Sequence, residues 1–231
     1  MVSTMKLVDT TDEQELLEDI LESSKPPVPV AARGHGFLLS TPFRYRSRHD
    51  SRFRTAASSF GVFYAAEDSR TAVHEMIFYR LLFFAESPET KFPSDAKQYS
   101  LFSVSIACER SLDLTQHPLS ADHDRWVDRA NYSACQAVAN LGQGEGLQLI
   151  RYQSVREPSG TGRNLALMDP SCFVGTPQQV ETWNIFLGPG GAQAIREMPR
   201  TRFDCPVELF LDDPRLRALA HKFKPTTDSG A

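Results

Sequence analysis

The chain has 231 residues, with 25 lysines and arginines against 29 aspartates and glutamates, and its formal net charge is −4. With 41% hydrophobic and 23% charged residues it has the composition of a globular protein of about one domain, which excludes wholesale disorder. The sequence has no apolar run close to the roughly 18 residues of a membrane-spanning helix, and its acidic start is unlike a signal peptide, so we expect a cytoplasmic protein.

Charge is unevenly distributed along the first quarter of the chain. Residues 1–25, here called the acidic arm, hold seven acidic residues against two lysines, a net charge of −5. Residues 26–56, the arginine-rich segment, hold six arginines against one aspartate, a net charge of +5. The small total therefore hides two adjacent regions of opposite sign.

The acidic arm has the pattern of a short amphipathic helix. Residues 11–14 have the form of a capping box, in which Thr11 accepts a backbone hydrogen bond and Gln14 returns one. Apolar residues then recur at helical spacing from 16 to 21, which predicts a helix of about a dozen residues. A proline-rich linker follows, and we divide the chain into an N-terminal extension (1–29), a main domain (30–224) and a tail (225–231) that we expect to be disordered.

The elements of the main domain are short and mixed. The predicted strands lie at 37–39, 43–45, 61–66, 99–106, 112–114, 147–154, 164–168, 182–187 and 202–209. The predicted helices lie at 71–85, 131–141 and 213–222, and a turn is predicted at 188–191. Because the order shows no regular βαβ alternation, we expect a single α+β domain with a mixed or antiparallel central sheet.

The cysteines and histidines indicate neither a disulfide framework nor a metal site. The four cysteines lie far apart and form no CxxC pair, so we expect reduced and mostly buried thiols. His74 and Glu75 begin an HExxH pattern, but Phe78 stands where the second histidine is needed. We therefore predict no bound metal.

Three features of the sequence could belong to a ligand-binding or catalytic site, and each could instead have a purely structural role. The arginine-rich segment lies among aromatic residues, so its arginines need an anionic partner. On spacing alone we favour an internal carboxylate over a ligand phosphate. Glu75 by itself is most simply a surface residue of the long predicted helix. Ser154 and Arg156 end a predicted strand beside the glycine-containing loop 158–162, where they would either form a ligand rim or anchor the loop.

Several short motifs follow one another in a recognisable order. They are Arg44-Tyr45, Ser51-Arg52-Phe53, Gly61-Val62-Phe63-Tyr64, Thr71-Ala72 to Glu75, Tyr152-Gln153-Ser154-Val155-Arg156 and Asn164-Leu165-Ala166. In order and rough spacing this series resembles the RES domain, a family of bacterial toxins named for its Arg, Glu and Ser. The resemblance runs from about residue 41 to beyond residue 173.

The resemblance implies a fold similar to ADP-ribosyltransferases and an activity that consumes NAD+ without a metal. Members of the family hydrolyse or phosphorolyse NAD+, or transfer ADP-ribose to a protein. They are normally encoded with an Xre-type antitoxin that covers the active site, so nucleic acid would be met only through that partner. The acceptor of the ADP-ribose group stays open among water, phosphate and a protein side chain.

Carried onto this chain, the resemblance assigns roles to individual residues. Those expected to be catalytic are Glu75, Arg52, Tyr64 and Ser154, and those expected to bind NAD+ are Arg44, Arg52, Tyr64, Ser154, Arg156 and Asn164.

The chemistry of NAD+ cleavage gives five of these assignments a reason, and Arg156 and Asn164 rest on the resemblance alone. Breaking the nicotinamide–ribose bond develops positive charge on the ribose, which Glu75 would stabilise. A planar guanidinium binds pyrophosphate through two parallel hydrogen bonds, with Arg52 as first choice and Arg44 as second. The ring of Tyr64 suits the cationic nicotinamide, and Ser154 would bind the carboxamide or the ribose.

Two other classes of function remain open at this point. A nucleic-acid-binding module would use the basic stretch 44–54, although such modules are usually basic overall and this chain is not. A protein-interaction domain would dock its acidic arm on a basic partner.

Overall fold

The computed structural model describes residues 6–45, 48–87 and 89–223, so the predicted tail lies outside the described residues. The helices are α1 (Thr11–Ser23), α2 (Phe37–Arg44), α3 (Ser69–Glu86), α4 (His123–Trp126), α5 (Ser133–Gly144) and α6 (Pro214–Ala218). The strands are β1 (Phe63–Ala66), β2 (Lys97–Ile106), β3 (Ser111–Asp113), β4 (Leu149–Gln153), β5 (Arg163–Leu167), β6 (Phe173–Gly188), β7 (Gly191–Arg196) and β8 (Thr201–Pro206).

These strands form two four-stranded sheets. The first sheet has the order β1-β5-β4-β3 and the second has the order β2-β6-β7-β8. Strand β3 pairs with β4 in parallel, and the other pairs are antiparallel. The first sheet is therefore mixed and the second antiparallel, which confirms the predicted α+β domain.

Helix α3 connects the two sheets and carries the residue on which the site depends. Asp68 caps its N-terminus by accepting a 2.8 Å hydrogen bond from the backbone N–H of Thr71. Ile77, Phe78 and Leu81 are completely buried in the apolar core formed with the second sheet. Burying a side chain of this kind contributes about 1.5–3 kcal/mol, so the helix is held firmly on that side. Its other face, with Glu75, lies toward β5.

The acidic arm forms the predicted helix, but the capping box is one residue earlier than predicted. The Thr10 hydroxyl accepts from the Glu13 N–H at 3.2 Å, and the Glu13 carboxylate accepts from the Thr10 N–H at 3.3 Å. A carboxylate at the third position makes a charge-assisted bond that the amide of Gln14 cannot. Helix α1 buries none of its own residues.

The strand pieces predicted at 37–39 and 43–45 are wrong, because the chain there forms helix α2. Gly36 is the residue before the first turn of α2. The helix buries Leu39 and Ser40, and Leu39 belongs to the apolar cluster of Phe63 and Phe173. Pro42 lies inside this helix. Because proline usually interrupts regular structure, the sequence around it resembled two strand pieces separated by a break. Burial of one helical face has outweighed that local signal.

The second sheet is larger than predicted. Strand β6 spans sixteen residues, whereas only 182–187 were predicted, and β7 was not predicted at all. The polar first half of β6 pairs with β2 and lacks the alternation that marks a half-buried strand. The predicted turn at 188–191 is the hairpin between β6 and β7, in which Gly188 pairs with Gly191.

The cysteines, the possible metal ligands and the possible membrane-spanning helices can be compared with the sequence-based expectations. All four cysteines are free, three of them buried and Cys108 half-buried, as expected. Within the described ranges, no three His, Cys, Asp or Glu side chains are grouped so as to hold a metal ion. No helix in those ranges has the length and apolar character needed to cross a bilayer.

Candidate active site

A cavity of about 440 Å³ lies between α3, β1 and the turn Ser51–Arg54. Its size is within the usual range of ligand sites, about 300–1,000 Å³. Its charged lining residues are Arg52, Arg54, Arg156, Arg215, Asp50 and Glu75. Four tyrosines complete the polar wall: Tyr64, Tyr79, Tyr132 and Tyr152. Arginines outnumber carboxylates, so the lining combines excess positive charge with aromatic rings.

Glu75 is held in place by two side chains from the first sheet. The Ser154 hydroxyl donates to Glu75 Oε1 at 2.7 Å, and Asn164 Nδ2 donates to the same oxygen at 2.6 Å. Among the described residues, Oε2 receives no such bond, which leaves it for a ligand. The carboxylate is therefore oriented at the cavity wall before any ligand arrives.

Ser154 reaches the cavity only through Glu75. Its side chain is 1% exposed and does not line the cavity. Its Oγ accepts hydrogen bonds from the backbone N–H groups of Arg156 and Glu157, both at 3.2 Å. The hydroxyl of Ser154 thus accepts two hydrogen bonds and donates one to Glu75. These bonds fix Ser154 as a positioning residue.

The turn Ser51–Arg54 carries two arginines into the cavity. Ser51 and Arg54 form an isolated antiparallel bridge, with the Ser51 N–H donating to the Arg54 carbonyl at 2.7 Å. Arg52 is 7% exposed, donates from Nη1 to the Trp126 carbonyl at 2.7 Å, and lies 4.7 Å from the ring centre of Tyr132. The backbone carbonyl and the ring fix its guanidinium without neutralising its charge.

A buried charge cluster forms the wall on the side of α6. Asp213 Oδ2 accepts from Arg156 Nη2 at 2.6 Å and from Arg215 Nη2 at 2.9 Å. The Arg156 guanidinium lies 3.7 Å from the ring centre of Phe78, and Arg215 also donates to the Tyr132 hydroxyl at 3.0 Å. One carboxylate thus serves two guanidinium groups, and the cluster keeps a net positive charge.

Tyr64 presents its ring to the cavity while its hydroxyl is bound elsewhere. The hydroxyl lies 2.8 Å from Ser51 Oγ and accepts from the Phe53 N–H at 3.1 Å. These contacts join β1 to the turn that carries Arg52 and set the plane of the ring.

Arg44 does not line the cavity. Its Nη1 donates to Glu22 Oε1 and its Nε to the Pro26 carbonyl, each at 2.6 Å. The acidic arm and the arginine-rich segment therefore meet through Arg44. Arg46 lies outside the described residues. Arg44 and Arg52 are both engaged within the protein, so neither is a free surface arginine of the kind that the nucleic-acid-binding alternative needs.

Three residues that line the cavity each have a buried polar atom without a partner in the described part of the chain. Arg54 Nε, Arg156 Nη1 and Asn164 Oδ1 have no hydrogen-bond partner among the described residues. A buried polar atom left without a partner costs about 1–3 kcal/mol. The set comprises two guanidinium donors and one amide acceptor.

The structure adds residues that sequence reasoning did not assign to the site. Tyr132 was only one residue of the helix predicted at 131–141, and Asp213 only the first residue of the helix predicted at 213–222. Arg215 lies next to that start and gave no separate signal. A local pattern cannot show that residues near the C-terminus lie beside a cavity built from residues 50–164.

Comparison with known proteins agrees with this geometry. The family model described as the RES domain matches residues 28–187, which is well over half of the chain. No curated protein matches the chain. The matched range includes Arg52, Tyr64, Glu75, Ser154 and Asn164, and it ends with β6. The chain therefore belongs to the RES domain family, whose members are NAD-related toxin domains.

Proposed function

We propose that this protein consumes NAD+ by cleaving the bond between nicotinamide and ribose. The observation that carries the proposal is Glu75, a carboxylate held by Ser154 and Asn164 at the wall of an arginine-lined cavity. A fold similar to ADP-ribosyltransferases and an Xre-type antitoxin that covers this cavity are parts of the same proposal.

Glu75 acts on the charge that develops as the bond breaks. Cleavage makes the ribose resemble an oxocarbenium ion, as in glycoside hydrolysis. Because Ser154 and Asn164 already occupy Oε1, the carboxylate does not have to reorient, and Oε2 can face the ribose. Preorganised charge of this kind is usually the largest single contribution to catalysis.

The guanidinium groups hold the dinucleotide. Arg52, Arg54 and Arg156 line the cavity and supply the positive charge that would bind the pyrophosphate. The ring of Tyr64 lies where a cationic nicotinamide would stack. Nicotinamide leaves as a neutral molecule, so the reaction requires no strong general acid.

The first test measures nicotinamide release from NAD+ by the purified full-length chain, with and without phosphate. We expect Glu75→Gln to reduce the rate by roughly a hundredfold or more. Ser154→Ala should lower kcat with little change in KM, and Ser154→Thr should restore part of it. Glu86→Gln is the matched control, because Glu86 is an exposed carboxylate on the same helix.

Mass spectrometry of the products identifies the acceptor. ADP-ribose would indicate hydrolysis, its phosphate ester phosphorolysis, and a modified protein a mono-ADP-ribosyltransferase. Absence of nicotinamide release with every acceptor, or full activity in Glu75→Gln, would contradict the proposal.

A further inference from the structure

A second groove, of about 860 Å³, lies between the two sheets. It is bordered by β1 on one side and by β2 and part of β6 on the other, with α3 at one end. In the described sheets, β1 and β2 each stand at the end of the strand order and pair with only one neighbour. The groove therefore separates two edge strands.

The lining shows that the edges of these strands face the groove. Consecutive residues 63–68 line one side and consecutive residues 99–104 line the other. Successive side chains of a strand point to opposite faces of its sheet. A groove on one face would touch alternate residues, so an unbroken run means that the backbone edge itself borders the space.

The register of β1 shows which backbone groups are directed there. The Glu67 N–H donates to the Arg163 carbonyl at 2.9 Å, and Ala65 and Phe63 continue the same register with β5. Hydrogen-bonded and non-hydrogen-bonded positions alternate in an antiparallel pair. The N–H and C=O groups of Tyr64 and Ala66 are therefore turned away from β5, toward the free edge.

The chemistry of the groove indicates what kind of segment it fits. Apolar side chains such as Leu101, Val104 and Ile185 line it. Of the described residues at its border, those with charged side chains are acidic: Glu67, Asp68 and Glu181. Glu181 pairs with Arg196, and Glu67 shares Arg151 with Asp113, so the excess negative charge of the border lies at Asp68 and around that shared arginine. The run 99–104 corresponds to about 20 Å of extended strand.

We propose that this groove binds an extended segment of a partner protein as an added β-strand between β1 and β2. Backbone hydrogen bonds to the two edges supply affinity, alternate apolar side chains fill the groove, and basic side chains at its end meet the acidic border. The proposal is independent of NAD+ turnover, although Tyr64, Ala65 and Ala66 line both the groove and the cavity. A segment bound there lies directly beside the cavity.

The probe is a phage-displayed library of random heptapeptides, selected on the full-length chain carrying Glu75→Gln. Enriched peptides should alternate β-branched residues and carry lysine or arginine near one end. Each enriched peptide is then synthesised unmodified and in two N-methylated forms, one methylated at odd positions and one at even positions. The affinity of all three for the protein is measured by calorimetry without NAD+. Both methylated forms should bind about tenfold more weakly, because alternate N–H groups of an inserted strand point to opposite edges and each pattern removes the donors to one of them.

A matched pair of variants tests the protein side. Ala66→Pro removes the N–H directed at the groove and leaves the bonds to β5 in place, a substitution that edge strands tolerate. Ala66→Val adds similar bulk and keeps that N–H. Affinity should fall about tenfold in Ala66→Pro and change little in Ala66→Val, with folding of both checked by thermal unfolding. Failure to enrich any peptide would overturn the proposal. So would binding that survives either methylation pattern, because the segment would then not be bonded to both edges.

Discussion

Asp213 is the residue whose loss should cost the most stability. It is completely buried and accepts hydrogen bonds from both Arg156 and Arg215. Asp213→Asn would leave two guanidinium groups without a counter-charge, and breaking a buried pair typically costs about 3–5 kcal/mol. Denaturant unfolding at pH 7 measures this difference. Asp212→Asn is the control, since the Asp212 side chain is 75% exposed and a surface change should stay within about 0.5 kcal/mol.

The difference in unfolding free energy between wild type and Asp213→Asn should depend on pH in a defined way. Burial acts to raise the pKa of Asp213, but the hydrogen bonds from Arg215 and the charge of Arg156 hold that pKa below its ordinary value of 3.8. The unfolded chain therefore takes up this proton at a higher pH than the native protein does. Stability from Asp213 is complete above the unfolded pKa and is lost as pH falls through the native value. The gap between wild type and Asp213→Asn should be constant from pH 7 to 5 and narrow below about pH 4. A gap unchanged at pH 2 would contradict this assignment.

At the level of single residues, sequence alone could place Glu75 on a helix but could not choose its role. Its spacing fitted a surface carboxylate equally well. Ser154 and Asn164 are 79 and 89 positions away along the chain, and only the packing of α3 against β5 brings them to Glu75. The family resemblance assigned these residues to one site. Local sequence patterns cannot show that residues so far apart along the chain are in contact.

At the level of elements, the secondary structure was predicted most accurately where the apolar repeat in the sequence is longest. Helices α3 and α5 have several turns of apolar repeats, and their predicted bounds are close to those of the structure. Helix α2 has two turns and contains Pro42, so aromatic residues around a proline resembled strands. In β6 the partner strand β2 sets the conformation, and register shifts along this pair remove regular alternation.

Gly61, two residues before β1, lies directly against the backbone of α2. A Cβ atom on Gly61 would lie 2.6 Å from Phe43 Cα and closer still to the Pro42 carbonyl oxygen. Both neighbours are backbone and cannot rotate away, so Gly61→Ala should destabilise the fold by about 1–3 kcal/mol. In a chain of this size that corresponds to about 2–4 °C in Tm for each kcal/mol.

Gly144→Ala is the matched control for this change. Nothing lies within 4 Å of a Cβ at Gly144, in the last turn of α5, where alanine favours helix by about 0.5–1 kcal/mol. Thermal unfolding should show a lower Tm for Gly61→Ala and an equal or higher Tm for Gly144→Ala. Equal values for Gly61→Ala and wild type would mean that α2 shifts without cost.

At the level of the whole molecule, the two ends of the chain contribute differently. The family match covers 28–187 and omits both the acidic arm and everything after β6. Yet β7 and β8 complete the second sheet, Phe210 and Leu216 are completely buried, and Arg215 lines the cavity. The C-terminal segment is thus part of the folded unit, whereas α1 buries none of its own residues.

Two truncations test this asymmetry. Removing residues 1–25 deletes the ion pair between Glu22 and Arg44, and exposed pairs contribute about 0–1 kcal/mol, so Tm should change by only a few degrees. Removing residues 207–231 exposes the sites of Phe210 and Leu216, worth about 1.5–3 kcal/mol each, and leaves buried Arg156 without Asp213. The summed loss is comparable to the whole stability of a typical domain, about 5–15 kcal/mol, so this truncation should abolish cooperative unfolding by circular dichroism. A cooperative transition near the wild-type Tm after the C-terminal truncation would show that the matched range folds without it. A loss of cooperativity after the N-terminal truncation would show that the acidic arm supports the fold through more than Arg44.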